Sequence, residues 1–186
     1  MMNGFNTSLI NSFTNTGNHA QKTSDVQGFP VPTSSMPHTV LDGNALVSAG
    51  FAIPGGWLNA SVFKSENFTS DNPVMLVKGT NTDGMRFEVE INANEVNPRN
   101  ASFIEMMALD GYFASKGQSL GTTRAAASAM AIKEARGGTD GFSKFDFLPS
   151  LTEAMEVQRQ NRNWEAFHYL QHIVDTLSRI ENRFNA

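Results

Sequence analysis

From Arg86 to Ile91 polar and apolar residues alternate at every step, as Arg-Phe-Glu-Val-Glu-Ile. A strand sends successive side chains to opposite faces, so Phe87, Val89 and Ile91 share one face and Arg86, Glu88 and Glu90 the other, which must meet water. Val74 to Val77 is continuously apolar, the pattern of a strand covered on both faces. Between the two runs lies Gly79-Thr80-Asn81-Thr82-Asp83-Gly84, and Asp-Gly is hairpin-turn chemistry. The spacing predicts a β-hairpin over about residues 74–91.

The period then changes. Asn97-Pro98 and Ser102-Phe103-Ile104-Glu105 are both helix-start signals, the second with the residues of a capping box. Phe103, Ile104, Met106, Met107, Leu109, Tyr112 and Phe113 follow, interrupted only by Glu105 and Asp110 among charged residues. So apolar a helix is expected to pack on the Phe87/Val89/Ile91 face and against other helices. Asp110 is expected at the helix edge, and Glu105 as part of the cap. Lys116 falls in the last turn, and Gly117 is a natural terminating residue.

Around this unit the patterns are weaker. Residues 42–60 are apolar, but Gly43, Gly50, Pro54, Gly55 and Gly56 argue against a long regular element. Trp57 is expected to pin this segment to the core. Ser61 to Phe68 reads as a third strand with imperfect alternation. Thr123 to Arg136 has strong helical propensity, with Thr122 or Thr123 as cap and Gly137-Gly138 as its end. Residues 137–149 read as a loop that tucks Phe142, Phe145, Phe147 and Leu148 inward. Ser150 and Glu153 fit a second capping box. The helix beyond is expected to break near Asn161–Asn163, where Asn163 can cap a new one. From there Trp164, Phe167, Leu170, Val174, Leu177, Ile180 and Phe184 recur every three or four residues, an amphipathic stripe.

These elements define an α+β fold: a small antiparallel sheet built on the 74–91 hairpin, packed against three to four α-helices over residues 42–186. Residues 1–41 carry few charges and much Asn, Ser, Thr and Gly. Too little apolar surface is available to offset the chain entropy of ordering, so a flexible tail is expected there.

Composition narrows the chemistry. The chain has 186 residues, 40% of them apolar, with 14 Lys+Arg against 18 Asp+Glu and a net charge of −4. No basic block occurs, so nucleic acid is not an expected partner. The absence of Cys excludes disulfides, thiolate metal sites and cysteine nucleophiles. No apolar run is long enough to span a membrane, and the N-terminus lacks the basic and apolar regions of a cleaved signal. A cytoplasmic protein, or one exported without a cleaved signal peptide, is expected.

Candidate chemistry is sparse. His168 and His172 stand four apart on one helix face, with Asp175 three further on, the spacing of a partial metal site. Glu88 and Glu90 share a strand face that reads as solvated. No nucleophile elbow, phosphate loop or dinucleotide fingerprint occurs, and no cofactor is expected. The leading expectation is therefore a non-enzymatic interaction or structural module that works through a protein partner. Its contact surface is expected at Trp164 and Phe167 on the last helix and at Phe142 and Phe145 in the loop. One alternative is a metal-binding protein or metal-dependent enzyme built on His168, His172 and Asp175. Another is an exported protein addressed by its N-terminal tail.

Overall fold

A computed structural model of the chain describes residues 43–53, 56–118, 120–134 and 140–184. The tail expected over 1–41 and the helix end expected at Gly137-Gly138 lie outside them. The fold is α+β. Four strands, β1 (Val47–Ile53), β2 (Gly56–Lys64), β3 (Val74–Thr80) and β4 (Arg86–Asn92), form an open antiparallel sheet in chain order. Four helices follow: α1 (Phe103–Ser115), α2 (Thr122–Glu134), α3 (Phe147–Gln160) and α4 (Trp164–Glu181). Among the described residues no helix is long and apolar enough to cross a membrane.

The β3–β4 hairpin forms as its alternation requires. Val77 pairs Val89 and Met75 pairs Ile91 on the covered face, while Lys78 pairs Glu88 on the wet face with a 3.3 Å ion pair. In the turn, the Asn81 side-chain oxygen accepts the Asp83 and Met85 N–H groups at 3.1 and 2.9 Å. Gly84 adopts φ +76°, a conformation open to glycine at little steric cost. Met75 and Val77 are buried, whereas Val74 and Leu76 are only half-buried, so β3 is fully covered on one face rather than two.

The glycine-broken segment 42–60 corrects the sequence reading: it holds two strands. β1 pairs β2 from Val47↔Val62 to Ile53↔Gly56, and the strand expected over Ser61–Phe68 is realised only to Lys64, as the end of β2. Gly79 sits beneath the Phe87 ring, which a side chain at that position would strike. Trp57 is not a core anchor. Leu58, Ala60 and Val62 point inward, so their odd neighbours point out, and Trp57 is 49% exposed.

α1 lies over the sheet, chiefly over β2 and β3. Gly111 lets it approach, since a Cβ there would collide with Val62 and stand 3.3 Å from Met75 Cε. Ile91 is buried, but the half-buried Phe87 is covered by Phe142, whose ring meets it edge-on at 5.0 Å. The α1 start is the expected capping box. Glu105 N–H reaches Ser102 Oγ at 3.3 Å, and Glu105 Oε2 accepts Ser102 N–H at 2.7 Å. Its end is a Schellman motif: Gly117 (φ +74°) bonds back to the Ala114 carbonyl and Gln118 to Phe113. Asn97-Pro98 starts no helix; Asn97 closes a turn onto Arg99 and Asn100.

α3 starts four residues earlier than its sequence suggests. Asp146, not Ser150, is the N-cap, accepting Leu148 N–H at 3.0 Å. Pro149 falls in the first turn, where a missing N–H leaves no bond unmade. The break before α4 is where it was expected, and the Asn163 side chain caps α4 through Ala166 N–H at 3.3 Å. Leu170, Ile173, Leu177 and Ile180 are the buried residues of α4.

Candidate functional site

α4 is the element on which most candidate residues converge. Its inward stripe locks it to the body, and its other face meets water. At its N-terminal end Trp164 is 54% exposed, with its ring edge-on to Phe167 at 6.1 Å. Phe167 in turn meets the His168 ring at 5.3 Å. Val157, 43% exposed, lies near the end of α3 that leads into α4. An exposed Trp164 resting on the half-buried Phe167 therefore caps one end of the α3–α4 hairpin. It is held by a short turn in which Arg162 adopts φ +58° and Asn163 N–H bonds to the Gln158 carbonyl at 2.9 Å.

Phe142 and Phe145 are placed differently. Phe142 lies against Phe87, and Phe145 packs on buried Phe147 with ring centroids 4.0 Å apart. Asp140 shapes their loop by accepting the Phe142 and Ser143 N–H groups at 2.9 and 2.7 Å. Burial acts to raise the Asp140 carboxyl, but these backbone bonds outweigh it and hold the pKa below its ordinary value.

His168 and His172 are both exposed on α4, and His168 Nδ1 lies 3.4 Å from Gln171 Oε1. Among the described residues no group of three His, Asp or Glu side chains gathers in a way that could hold a metal ion. Glu88 and Glu90 lie on the exposed sheet face. Glu88 pairs with Lys78, and Glu90 accepts from the Ser65 hydroxyl.

Two arrangements escape the sequence reading. The first is a polar cluster under α2. Asp110 is not at a helix edge but 3% exposed, and its Oδ2 accepts Thr123 N–H at 3.0 Å. A carboxylate from α1 thus caps α2, while the hydroxyls of Thr122 and Thr123, expected as caps, have no hydrogen-bond partner among the described residues. Tyr169 of α4 reaches the same place and donates to the Gly121 carbonyl at 2.6 Å. Burial pushes the Tyr169 phenol up to about 12, with Asp110 adding to the effect and Arg124 opposing it.

The second is an open groove of about 640 Å³ between the end of α1 and the C-terminal half of α4. Phe113, Leu120 and Ile180 line it together with His172, Arg179 and Arg183. A second groove, near 510 Å³, lies along α3 beside Arg99. There Arg99 bonds to Glu181 at 2.9 Å and to Asp146 at 3.1 Å, which pushes its pKa above the ordinary value.

Comparison with protein-family models, curated proteins and solved structures returns no match to any of the three.

Proposed function

We propose that this protein is a non-enzymatic contact module that engages a protein partner through the Trp164 end of the α3–α4 hairpin. The observation that carries the reading is the exposure of Trp164 beside Phe167 on a capped helix start. An indole left in water forgoes the favourable burial its area would provide, roughly 25 cal/mol per Å² of apolar surface. Tryptophan is also the residue type most enriched among the few that dominate binding energy at protein interfaces. Val157 enlarges the apolar surface at that end of the hairpin.

The test is capture by the purified full chain from extracts of its own cells. The W164A/F167A variant, with its unfolding transition unchanged, is expected to lose a partner that the parent protein retains. Equal capture by the two proteins contradicts the assignment.

A further inference from the structure

We propose that the groove between α1 and α4 receives an acidic amphipathic helical segment of a protein partner. The groove is a surface separate from the Trp164 patch. The inference rests on the reading of the chain as a contact module, but not on which end of α4 makes the other contact.

The floor of the groove is apolar and fixed. Ile180 is buried and Phe113 and Leu120 are half-buried, supplied by α4, α1 and the connection between α1 and α2. Its polar wall is α4 and the 3-10 turn that follows it (Asn182–Phe184): His172, Thr176 and Arg179 share a face of α4, and Arg183 extends the row from the turn. Among the described residues no carboxylate lines it. Elsewhere on the molecule Arg99 and Arg159 are held by carboxylates. Among the described residues Arg179 and Arg183 form no ion pair; Arg179 Nε donates instead to the Asp175 backbone carbonyl at 3.2 Å.

In a chain of net charge −4, this is a local concentration of unpaired guanidinium beside a partly covered apolar floor. Cations in the last turn of a helix also complement its dipole, worth about 0.3–1 kcal/mol. That accounts for Arg179 in the last turn of α4, but not for Arg183 in the turn beyond it. It accounts neither for the apolar floor beside them nor for His172 two turns earlier.

The complementary shape is an apolar stripe flanked by carboxylates, the helix-in-groove mode of recognition. Arg179 and Arg183 are about one turn apart, roughly 6 Å along the axis, which matches glutamates at i and i+4 on a partner helix. A duplex nucleic acid would leave the Phe113–Leu120–Ile180 floor unmatched. An anionic membrane surface would demand a broader basic patch than these residues provide.

The experiment uses the full chain and a labelled peptide of about 15 residues, with leucine at the i, i+3, i+4 and i+7 positions and glutamate beside them. Fluorescence anisotropy is expected to show saturable binding that weakens as salt rises from about 0.05 to about 0.5 M. R179E/R183E is expected to weaken it about tenfold or more, and W164A/F167A to leave it unchanged. R179Q/R183Q removes the charge without reversing it and keeps the test valid if the reversal disturbs α4. Equal binding of a peptide with lysine in place of glutamate overturns the proposal. So does undiminished binding by both arginine variants, or binding to phosphatidylserine vesicles or duplex DNA in place of the glutamate peptide. Loss of peptide binding in W164A/F167A would move the site away from the groove. Failure here, with capture through Trp164 intact, would remove the groove and leave the contact-module reading standing.

Discussion

Tyr169 and Gly121, 48 positions apart, are joined by a 2.6 Å hydrogen bond from phenol to backbone carbonyl. The bond ties the middle of α4 to the residue that opens α2. Gly121 adopts φ +67°, and a Cβ there would run into the Tyr169 hydroxyl. G121A is therefore expected to destabilise twice over, by backbone strain and by displacing the ring. Y169F leaves the Gly121 carbonyl its bond from Ala125 N–H at 3.1 Å and is expected to cost about 1 kcal/mol in urea unfolding.

The same bond gives an alkaline prediction. The Tyr169 phenol sits at about 12 in the folded protein against an ordinary 10.0. A group whose folded pKa is raised contributes stability that is complete below the unfolded value and lost as pH rises through the folded one. Tyr169 should therefore contribute to a fall in stability between about pH 10 and about pH 12. Melting temperatures of the parent and Y169F should converge across that window. A constant difference would contradict the burial of the phenol.

At Gly111 two effects oppose each other. Alanine inside a helix is favoured over glycine by roughly 1 kcal/mol. Its Cβ would meet Val62 on β2, with Met75 close by, and overpacking a filled core costs typically 1–3 kcal/mol. The packing term is expected to win, so G111A should lower the urea midpoint. A higher midpoint would mean that α1 stands further from the sheet than described.

Glu105 belongs to the capping box of α1 and pairs with Lys144 at 2.8 Å. Burial acts to raise its carboxyl, but the bonds from Lys144 and Ser102 outweigh this and hold the pKa below the ordinary value. Its contribution is thus present above about pH 4.5 and lost as pH falls through the lowered folded value. E105Q should flatten the acid limb of the stability curve. S102A, which removes the acceptor of the Glu105 N–H, should cost about 1 kcal/mol at neutral pH.

Asp110 supplies the cap of α2 from a neighbouring helix. D110A leaves the Thr123 N–H without this acceptor and is expected to cost about 1–3 kcal/mol. D110N keeps a side-chain oxygen in place and should cost less. Equal losses would show that the hydrogen bond to α2 is not what Asp110 contributes.

What was legible in the sequence is what local chemistry decides. Alternation placed β4, Ser102 with Glu105 placed the start of α1, Gly117 its end, and Asn163 the start of α4. Each depends on residues within one turn or one strand. What was missed depends on distant partners. Val47 to Ile53 becomes a strand because β2 pairs with it in spite of Gly50, and no local pattern announces that pairing. Asp146 outcompetes Ser150 as a cap while Phe147 N–H is satisfied by the Pro98 carbonyl at 3.0 Å. Asp110 reads as a surface residue until α2 folds over it. Among candidate sites, Trp164 and Phe167 could be found from one helix alone. The groove could not, because Phe113 and Leu120 meet Arg179 and Arg183 only in the fold.

The most direct test of the contact surface replaces Trp164 by a photo-crosslinking phenylalanine analogue in the full chain, in its own cells. Lys78, exposed on the far face of the sheet, takes the same analogue as the control. A discrete covalent adduct with another protein is expected from position 164 and none from position 78. No adduct from 164, or the same adducts from both positions, would contradict the assignment of this surface.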